Sequence, residues 1–188
     1  MFQLKIITAS TRPGRKGPSM AAWIQAKAIA HGAFDVEMLD LAAINLPFLD
    51  EPEHPRLKKY QHAHTKKWSA SIEAADAFIM VTPEYNYGMP ASLKNALDFL
   101  FWEWAKKPVG FVSYGGQSGG IRSVQMLKQV VTTLKMMPLP ESIAIPFFSK
   151  HINEDGVFNA GETLDKNADE LLKELASWAG ALKTIRQQ

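Results

Sequence analysis

The sequence predicts an α/β fold in which helices cover both faces of a parallel β-sheet. Segments with strand character alternate with segments of helical periodicity along the chain. Three strand segments, at residues 4–7, 78–81 and 109–112, are nearly continuous apolar runs, which is typical of strands covered on both faces. The length of 188 residues and the hydrophobic fraction of 46% suit a single domain over residues 1–188.

The elements follow one another in regular alternation. Pro18 marks the start of the first helix, whose apolar face includes Met20, Trp23 and Ile24, and Pro90 marks the start of a later one. Prolines and acids at residues 45–55 predict a surface loop. In order, we predict strand 2–8, helix 18–30, strand 34–39, helix 65–75, strand 77–82, helix 90–101, strand 108–113, helix 120–136, strand 142–146 and helix 161–185.

Composition excludes several classes of function. The net charge is +2, and the lysine pairs are scattered between acids, so we expect no nucleic-acid partner. The sequence has neither an apolar run of roughly 18 residues nor a signal-peptide pattern, which favours a cytoplasmic protein without a membrane partner. The absence of cysteine excludes disulfides and thiolate catalysis.

The segment after the third predicted strand is the most informative stretch of the chain. Residues 82–90 run Thr-Pro-Glu-Tyr-Asn-Tyr-Gly-Met-Pro. Backbone groups next to Pro83 and Gly88 can approach the edge of a ring closely. The two tyrosines that flank Asn86 offer aromatic faces and hydroxyls, and the amide can both donate and accept. These properties suit a flat aromatic ligand with polar edges, and flavin is the candidate.

A second candidate ligand segment, residues 9–19, follows the first predicted strand. It combines the hydroxyls of Ser10 and Thr11 with three cations directly before a helix. Because unpaired N–H groups and the positive end of a helix dipole favour anions, a phosphate would fit here. A polar turn with solvated cations is the alternative. A doubly wound sheet brings the ends of its first and third strands together, which favours the phosphate.

The fourth predicted strand ends in the glycine-rich residues 113–120. These glycines let the backbone approach a ligand and donate N–H groups, although a flexible turn would have the same composition. The segment also matches the Gly-x-Ser-x-Gly pattern of serine hydrolases around Ser118. Chain order opposes a hydrolase, because His151 is the only later histidine and Glu141 the only acid between them.

Acids and histidines cluster at residues 50–64, which raises the question of a metal site. Their spacing fits no standard ligand motif, and His62 and His64 would point to opposite sides of an extended segment. We therefore expect a solvated loop and no metal.

Three of these segments together resemble the NADPH-dependent FMN reductase family, which includes quinone, azo-dye and chromate reductases. They are residues 9–12, residues 83–86 with 92–96 behind them, and residues 113–116, and the resemblance extends over residues 2–182. It implies a flavodoxin-like three-layer sandwich with a five-stranded parallel sheet, and non-covalently bound FMN. It also implies NADPH or NADH as co-substrate, and a homodimer or homotetramer with FMN near the subunit interface.

The resemblance assigns the cofactor-binding residues by position. Ser10 and Arg12 would hold the FMN phosphate together with backbone N–H groups near residues 17–19. Residues 83–87 would line the isoalloxazine ring, and residues 113–116 would line its pyrimidine side. Two departures bear on this assignment: Ala9 stands where the family usually has glycine, and Gly-Pro-Ser replaces Ser-x-Asn at residues 17–19. The predicted FMN-binding residues are Ser10, Thr11, Arg12, Gly17, Pro18, Ser19, Pro83, Glu84, Tyr85, Asn86, Tyr87, Ser113, Tyr114, Gly115 and Gly116.

The implied reaction transfers hydride from the reduced nicotinamide to FMN, and then two electrons to a quinone, azo compound, chromate or free flavin. No side chain is predicted to act as acid or base. The N–H groups of Gly115 and Gly116 would stabilise negative charge near N1 and O2 of the reduced ring. A flavodoxin-like electron carrier without nicotinamide activity is the alternative, but such carriers usually have strongly acidic surfaces.

Aromatic residues are dense after the helix that begins at the flavin segment. Core packing explains some of them, and a subunit interface beside the flavin could explain the others. We expect Phe101, Trp102 and Trp104 to lie in an isologous dimer interface that closes one side of the site.

Overall fold

The computed structural model describes residues 1–187 and confirms the predicted α/β architecture. Its strands are β1 (Phe2–Thr8), β2 (Phe34–Asp40), β3 (Ala77–Pro83), β4 (Pro108–Tyr114) and β5 (Met137–Ile145). All neighbouring strands pair in parallel, in the order β2-β1-β3-β4-β5. This is the strand order of flavodoxin-like sheets, which bind ligands where the order reverses beside β1 and β3.

Helices form the two outer layers. They are α1 (Gly17–His31), α2 (Leu41–Ile44), α3 (Ala63–Glu73), α4 (Ala91–Asp98), α5 (Ile121–Thr133) and α6 (Glu162–Arg186), with 3-10 turns at Pro55–Leu57 and Phe148–His151. One core joins the sheet to α1 and α6, and the other joins it to α3, α4 and α5. No helix of residues 1–187 is both long and apolar enough to cross a membrane.

Most elements differ from their predicted bounds by one to three residues, and three differences have a physical cause. The short α2 was not predicted; Asp40 caps it by accepting from the backbone N–H of Ala42 at 3.1 Å. Helix α4 ends at Asp98 instead of residue 101, because the following aromatics turn into the core. Strand β5 begins at Met137, five residues earlier than predicted. Its prolines at 138 and 140 concealed it, but an edge strand tolerates proline, and the β4–β5 register shifts there.

The aromatic cluster after α4 lies mostly in the core, so the predicted interface role is wrong for two of its three residues. Trp104 is 0% exposed, and its Nε1 donates to the Leu97 carbonyl at 3.2 Å. Phe101 is also buried. Only Trp102 reaches the surface, where its Nε1 donates to the Arg56 carbonyl at 2.9 Å.

The loop between α2 and α3 lies along α4. Asn95 fixes it twice, since its Nδ2 donates to the Pro47 carbonyl at 2.7 Å and its Oδ1 accepts from the Leu49 N–H at 3.0 Å. Glu51 accepts from two backbone N–H groups at the start of α3. Across residues 1–187, no cluster of three or more histidine, aspartate or glutamate side chains could hold a metal ion.

Candidate functional site

A cleft of about 440 Å³ opens at the carboxyl edge of the sheet, beside the ends of β1, β3 and β4. Eight of the fifteen predicted site residues line it: Ser10, Arg12, Pro83, Glu84, Tyr85, Tyr114, Gly115 and Gly116. Five residues that were not predicted complete its lining: Gly14, Arg15, Lys16, Phe148 and Ser149. The sheet thus brings all three predicted segments together.

One end of the cleft is cationic and lies at the start of α1. Arg12 and Lys16 are exposed there, and Lys16 is the N-cap residue of the helix. The first turn of α1, all of which the structure describes, contains no acid. An anion at this end would therefore meet two cations and the positive end of the helix dipole.

Arg15 shapes this end from within. Its guanidinium forms a paired contact with the Asp40 carboxylate, with Nη2 at 2.6 Å from Oδ2, and its Nη1 donates to the Ser10 carbonyl at 2.8 Å. The hydrogen bond from Arg15 holds the pKa of Asp40 below its ordinary value, against the opposing effect of burial. Arg15 thereby links the loop after β1 to the end of β2.

Residues 17–19 do not line the cleft. A Cβ at Gly17 would lie 2.7 Å from the Tyr114 hydroxyl, so the tyrosine requires a glycine here. Pro18 has no N–H to donate. The N–H and Oγ of Ser19 both bond to the Lys16 carbonyl, at 3.2 and 2.8 Å. Of these three residues, only Gly17 has a backbone N–H that is not committed in this way.

A hydrogen bond crosses the cleft between the two predicted segments. The Ser10 Oγ and the Tyr85 hydroxyl lie 2.8 Å apart, and either can be the donor. Ala9, just before, is fully buried, and its N–H donates to the Val81 carbonyl at 3.0 Å. Its φ is not positive, as expected from the alanine at this position. Thr11 faces away from the cleft, into a neighbouring cavity.

The other end of the cleft is formed by a tight turn after β3. The N–H of Tyr85 donates to the Gly88 carbonyl, and the N–H of Gly88 donates back to the Tyr85 carbonyl, both at 2.9 Å. Asn86 and Tyr87 occupy the left-handed region, with φ of 50° and 69°. This turn keeps Tyr85 at the cleft and leaves Asn86 and Tyr87 outside its lining.

Glu84 clamps this turn to the start of α5. Its Oε1 accepts from Arg122 Nε at 2.7 Å and from Ser118 Oγ at 3.1 Å, and its Oε2 accepts from the Arg122 N–H at 3.0 Å. Burial alone would raise the pKa of Glu84, but these hydrogen bonds outweigh it and hold the pKa below its ordinary value. Glu84 is thus an ionised anchor for the turn.

The glycine-rich segment after β4 is packed tightly. Ser113 is 1% exposed, and its hydroxyl donates to the Gly119 carbonyl at 2.8 Å, so its side chain does not face the cleft. The Gly115 N–H donates to the Ile145 carbonyl at 3.3 Å, which leaves Gly116 as the better placed of the two predicted N–H donors. Burial raises the pKa of Tyr114, whose hydroxyl therefore stays protonated.

The loop after β5 supplies a wall that the sequence analysis missed. Phe147 donates its N–H to the Gly116 carbonyl at 2.9 Å, and Phe148 donates its N–H to the Gly115 carbonyl at 3.4 Å. These bonds place Phe148 and Ser149 in the cleft. The signal that could have found them is general: in a parallel sheet, β5 ends at the same edge as its neighbour β4.

Comparisons with known proteins agree with this geometry. Residues 3–150 match the model of the family described as NADPH-dependent FMN reductase. The chain belongs to this family.

Several relatives of this reductase are known. An NAD(P)H-dependent FMN reductase of Schizosaccharomyces pombe, C4B3.06c, is 39% identical over 173 residues, which is 91% of this chain and 86% of the relative. An NADPH azoreductase of a Bacillus species is 28% identical over 98% of both chains. The structure of FerB, an NAD(P)H:(acceptor) oxidoreductase from Paracoccus denitrificans, superimposes with a TM-score of 0.77 over 96% of this chain and 98% of FerB. At 19% identity, that superposition supports the fold alone.

The serine hydrolase hypothesis fits this reductase poorly. Ser118 donates to the Glu84 carboxylate, and within residues 1–187 no hydrogen bond joins it to a histidine. His151, the only later histidine, lies with its Nδ1 3.2 Å from the Asn159 carbonyl. A nucleophilic serine needs a base within hydrogen-bond reach, and Ser118 has a carboxylate clamp in its place.

A second, larger cavity of the reductase, about 610 Å³, lies on the other side of Thr11, between α2 and α4. All of its lining side chains are uncharged. The polar side-chain atoms of Asn95 and Ser92 are hydrogen-bonded to backbone groups of other segments. Of these two cavities, only the smaller cleft is lined by the cations that would suit a phosphate.

Proposed function

We propose that this reductase binds FMN in the cleft beside β1, β3 and β4, oxidises NADPH or NADH, and reduces a quinone or an azo compound. Family membership and relatives named as FMN reductases, azoreductases and quinone oxidoreductases support the proposal. Chromate and free flavin are further candidate acceptors. The observation that carries it is the pairing in one cleft of a cationic end and an aromatic end whose one carboxylate, Glu84, is paired with Arg122.

The cleft fits FMN in volume and chemistry. Its volume of about 440 Å³ lies within the roughly 300–1,000 Å³ of small-molecule sites. FMN has one phosphate, and the cationic end provides one anion site. The flat ring would lie against Pro83, Tyr85 and the glycine backbone, where no cation competes for it.

The fifteen predicted residues take two kinds of role in this proposal. Those that line the cleft contact FMN: Ser10 and Arg12, with Lys16, hold the phosphate, and Pro83 to Tyr85 and Tyr114 to Gly116 hold the ring. The remainder support these segments from outside. They are Thr11, Gly17, Pro18, Ser19, Asn86, Tyr87 and Ser113.

When bound, FMN supplies the hydride and two-electron chemistry. The chain positions the ring, and the N–H of Gly116 is available to negative charge at the pyrimidine edge. Glu84 is ionised and committed to Arg122, so it does not act as a proton donor in this proposal.

The test is spectroscopic. Purified protein should be yellow or take up FMN in preference to FAD, and anaerobic addition of NADPH or NADH should bleach the flavin absorbance. A quinone or azo dye should then restore it. Protein that stays colourless after incubation with FMN would overturn the proposal, and bound FMN that is not reduced by either nicotinamide would favour the electron carrier.

The proposal includes a homodimer or homotetramer acting in the cytoplasm, each chain folding as one domain. What supports assembly is a set of exposed apolar side chains in segments that neighbour or follow α4, namely Phe48, Leu49, Leu57 and Trp102. We expect light scattering to give at least twice the chain mass. Replacing Phe48 and Trp102 by serine should lower it, and a native mass of one chain would reject assembly.

A further inference from the structure

Tyr87 is the most exposed aromatic residue beside the cleft, at 68% of its surface, and the backbone that holds it is unfavourable for a tyrosine. Its φ of 69° lies in the left-handed region, where a residue other than glycine costs roughly 1–2 kcal/mol. Tight turns with two such residues favour Asn-Gly, and this turn has Asn-Tyr. The chain therefore carries a tyrosine at a position where the backbone conformation favours glycine.

The ring is also held in place. The Arg122 guanidinium carbon lies 3.8 Å from the ring centroid, so the cation stacks on one face. Arg122 is in turn fixed by the Glu84 carboxylate, whose side chain is only 7% exposed. The result is an aromatic surface, held on one face by the Arg122–Glu84 ion pair, two residues from Tyr85, which lines the cleft.

We propose that Tyr87, backed by Arg122, is a stacking platform for the adenine ring of NADPH or NADH. This inference rests on the proposed function. The nicotinamide has to reach the flavin inside the cleft, whereas Tyr87 lies outside the cleft lining, so the other aromatic ring of the dinucleotide is the one that meets it. Stacking on an aromatic side chain suits the purine ring, and the Arg122 guanidinium, whose charge Glu84 balances, fixes the orientation of that side chain.

The turn offers a sharp variant, because Tyr87→Gly removes the ring and supplies the residue that this backbone favours. In the FMN-loaded enzyme we expect the KM for NADPH to rise about tenfold, equivalent to about 1.4 kcal/mol, with little change in kcat. The KM for reduced nicotinamide mononucleotide, which lacks adenine, should not change. Tyr87→Phe keeps the ring and should behave like the native enzyme. Binding of oxidised NADP⁺, measured by calorimetry, should weaken in parallel with the KM for NADPH.

Lys106→Gly is the matched control. Lys106 also has a positive φ, of 58°, but it precedes β4 at the opposite edge of the sheet. Its replacement should relieve the same kind of backbone cost and leave the KM for NADPH unchanged.

Three results would overturn the inference. They are an unchanged KM for NADPH in Tyr87→Gly, an equal rise for NADPH and the mononucleotide, and loss of assembly in that variant, which would make Tyr87 an interface residue. Native protein that binds no FMN or oxidises neither nicotinamide would overturn the proposed function together with the inference. Measurements on the native protein alone would reveal that result, so it is distinguishable from a failure of the inference about Tyr87.

Discussion

The two ends of the proposed FMN cleft, the cationic phosphate end and the aromatic ring end, are built on different physical principles. The phosphate end is an exposed loop in which Arg12, Gly14 and Lys16 face solvent, and Arg15 and the Ser10–Tyr85 hydrogen bond hold it in place. The ring end is fixed by paired backbone hydrogen bonds between Tyr85 and Gly88, and by glycines that other backbone atoms crowd. In the proposed binding mode, one end would bind FMN through charge, and the other through a shape that its own hydrogen bonds already fix.

This difference decides which substitutions each end tolerates. A charge on an exposed loop acts over several ångströms and is screened by salt, so small changes in loop geometry cost little. A ring held by backbone groups requires those groups to stay within a few tenths of an ångström. We therefore expect the ring end to respond to added volume and the phosphate end to respond to lost charge.

Adding one methyl group at each end gives the largest expected contrast. A Cβ at Gly120 would lie 2.8 to 3.0 Å from the Ser113 side chain and the Tyr114 backbone, at a φ of 86°. At Gly14, with a φ of 70°, the same Cβ would have no described atom within 4 Å. Gly120→Ala should lower the free energy of unfolding by roughly 3 kcal/mol, and Gly14→Ala by about 1 kcal/mol. Urea denaturation measures both, and equal losses would contradict the contrast.

Removing a charge should affect the phosphate end more than the ring end. Arg12→Ala should weaken FMN binding by roughly 1.5–3 kcal/mol, the usual value of a hydrogen bond to a charged group, with little effect on folding. The loss should shrink in high salt. FMN fluorescence titration measures the affinity, and Lys173→Ala, which removes an exposed cation on α6, is the control. An affinity unchanged by Arg12→Ala would show that the phosphate binds elsewhere.

The sequence predicted the strands of the sheet better than it predicted the directions of individual side chains in the cleft. Patterns of apolar residues predicted all five strands, and β1, β3 and β4 carry the predicted segments to one edge. What pattern alone could not supply was the direction of individual side chains. Ser113 and Ser19 have suitable chemistry but point to carbonyls of their own loops. Trp104 was placed at an interface because aromatic density looks the same in a core and on a surface.

The sequence also did not predict the roles of residues whose positions depend on long-range contacts. Arg15 was recognised as a cation, but its partner Asp40 lies at the end of a different strand. Phe148 enters the cleft because a loop after β5 bonds to a loop after β4. Such contacts follow from the fold, and they become predictable only after the strand order is known.

The hydrogen bond between Ser10 and Tyr85 is the direct link between the two ends, and its removal is expected to have a smaller effect. Ser10→Ala and Tyr85→Phe each remove one hydroxyl of the 2.8 Å contact. If the contact persists with FMN bound, the double variant should lose about 1 kcal/mol less binding energy than the sum of the single variants. Tyr87→Phe, which lies outside the cleft lining, should show no coupling to Ser10→Ala. Fully additive losses for Ser10 and Tyr85 would mean that the two ends bind FMN independently.

The dependence of stability on pH is expected to be the smallest effect. Its source is one carboxylate at each end of the cleft, which is paired with an arginine. The pKa of Asp40 at the phosphate end and that of Glu84 at the ring end are both lower in the folded chain than their ordinary values of 3.8 and 4.5. A carboxylate with a lowered pKa stabilises the fold above its unfolded pKa, and this contribution is lost as the pH falls through the folded pKa. We therefore expect unfolding free energy to decline below about pH 4.5.

Neutral variants separate the two contributions to that decline. Asp40→Asn should remove a part worth about 0.2–1 kcal/mol, the usual range for a partly exposed pair. Glu84→Gln should remove a larger part, since its side chain is 7% exposed and also accepts from Ser118 and the Arg122 backbone. Urea denaturation from pH 3 to pH 7 measures both. If Asp40→Asn flattened the profile more than Glu84→Gln, the ion pair at the phosphate end would contribute more to folding stability than Glu84 does at the ring end, contrary to the burial of the two carboxylates.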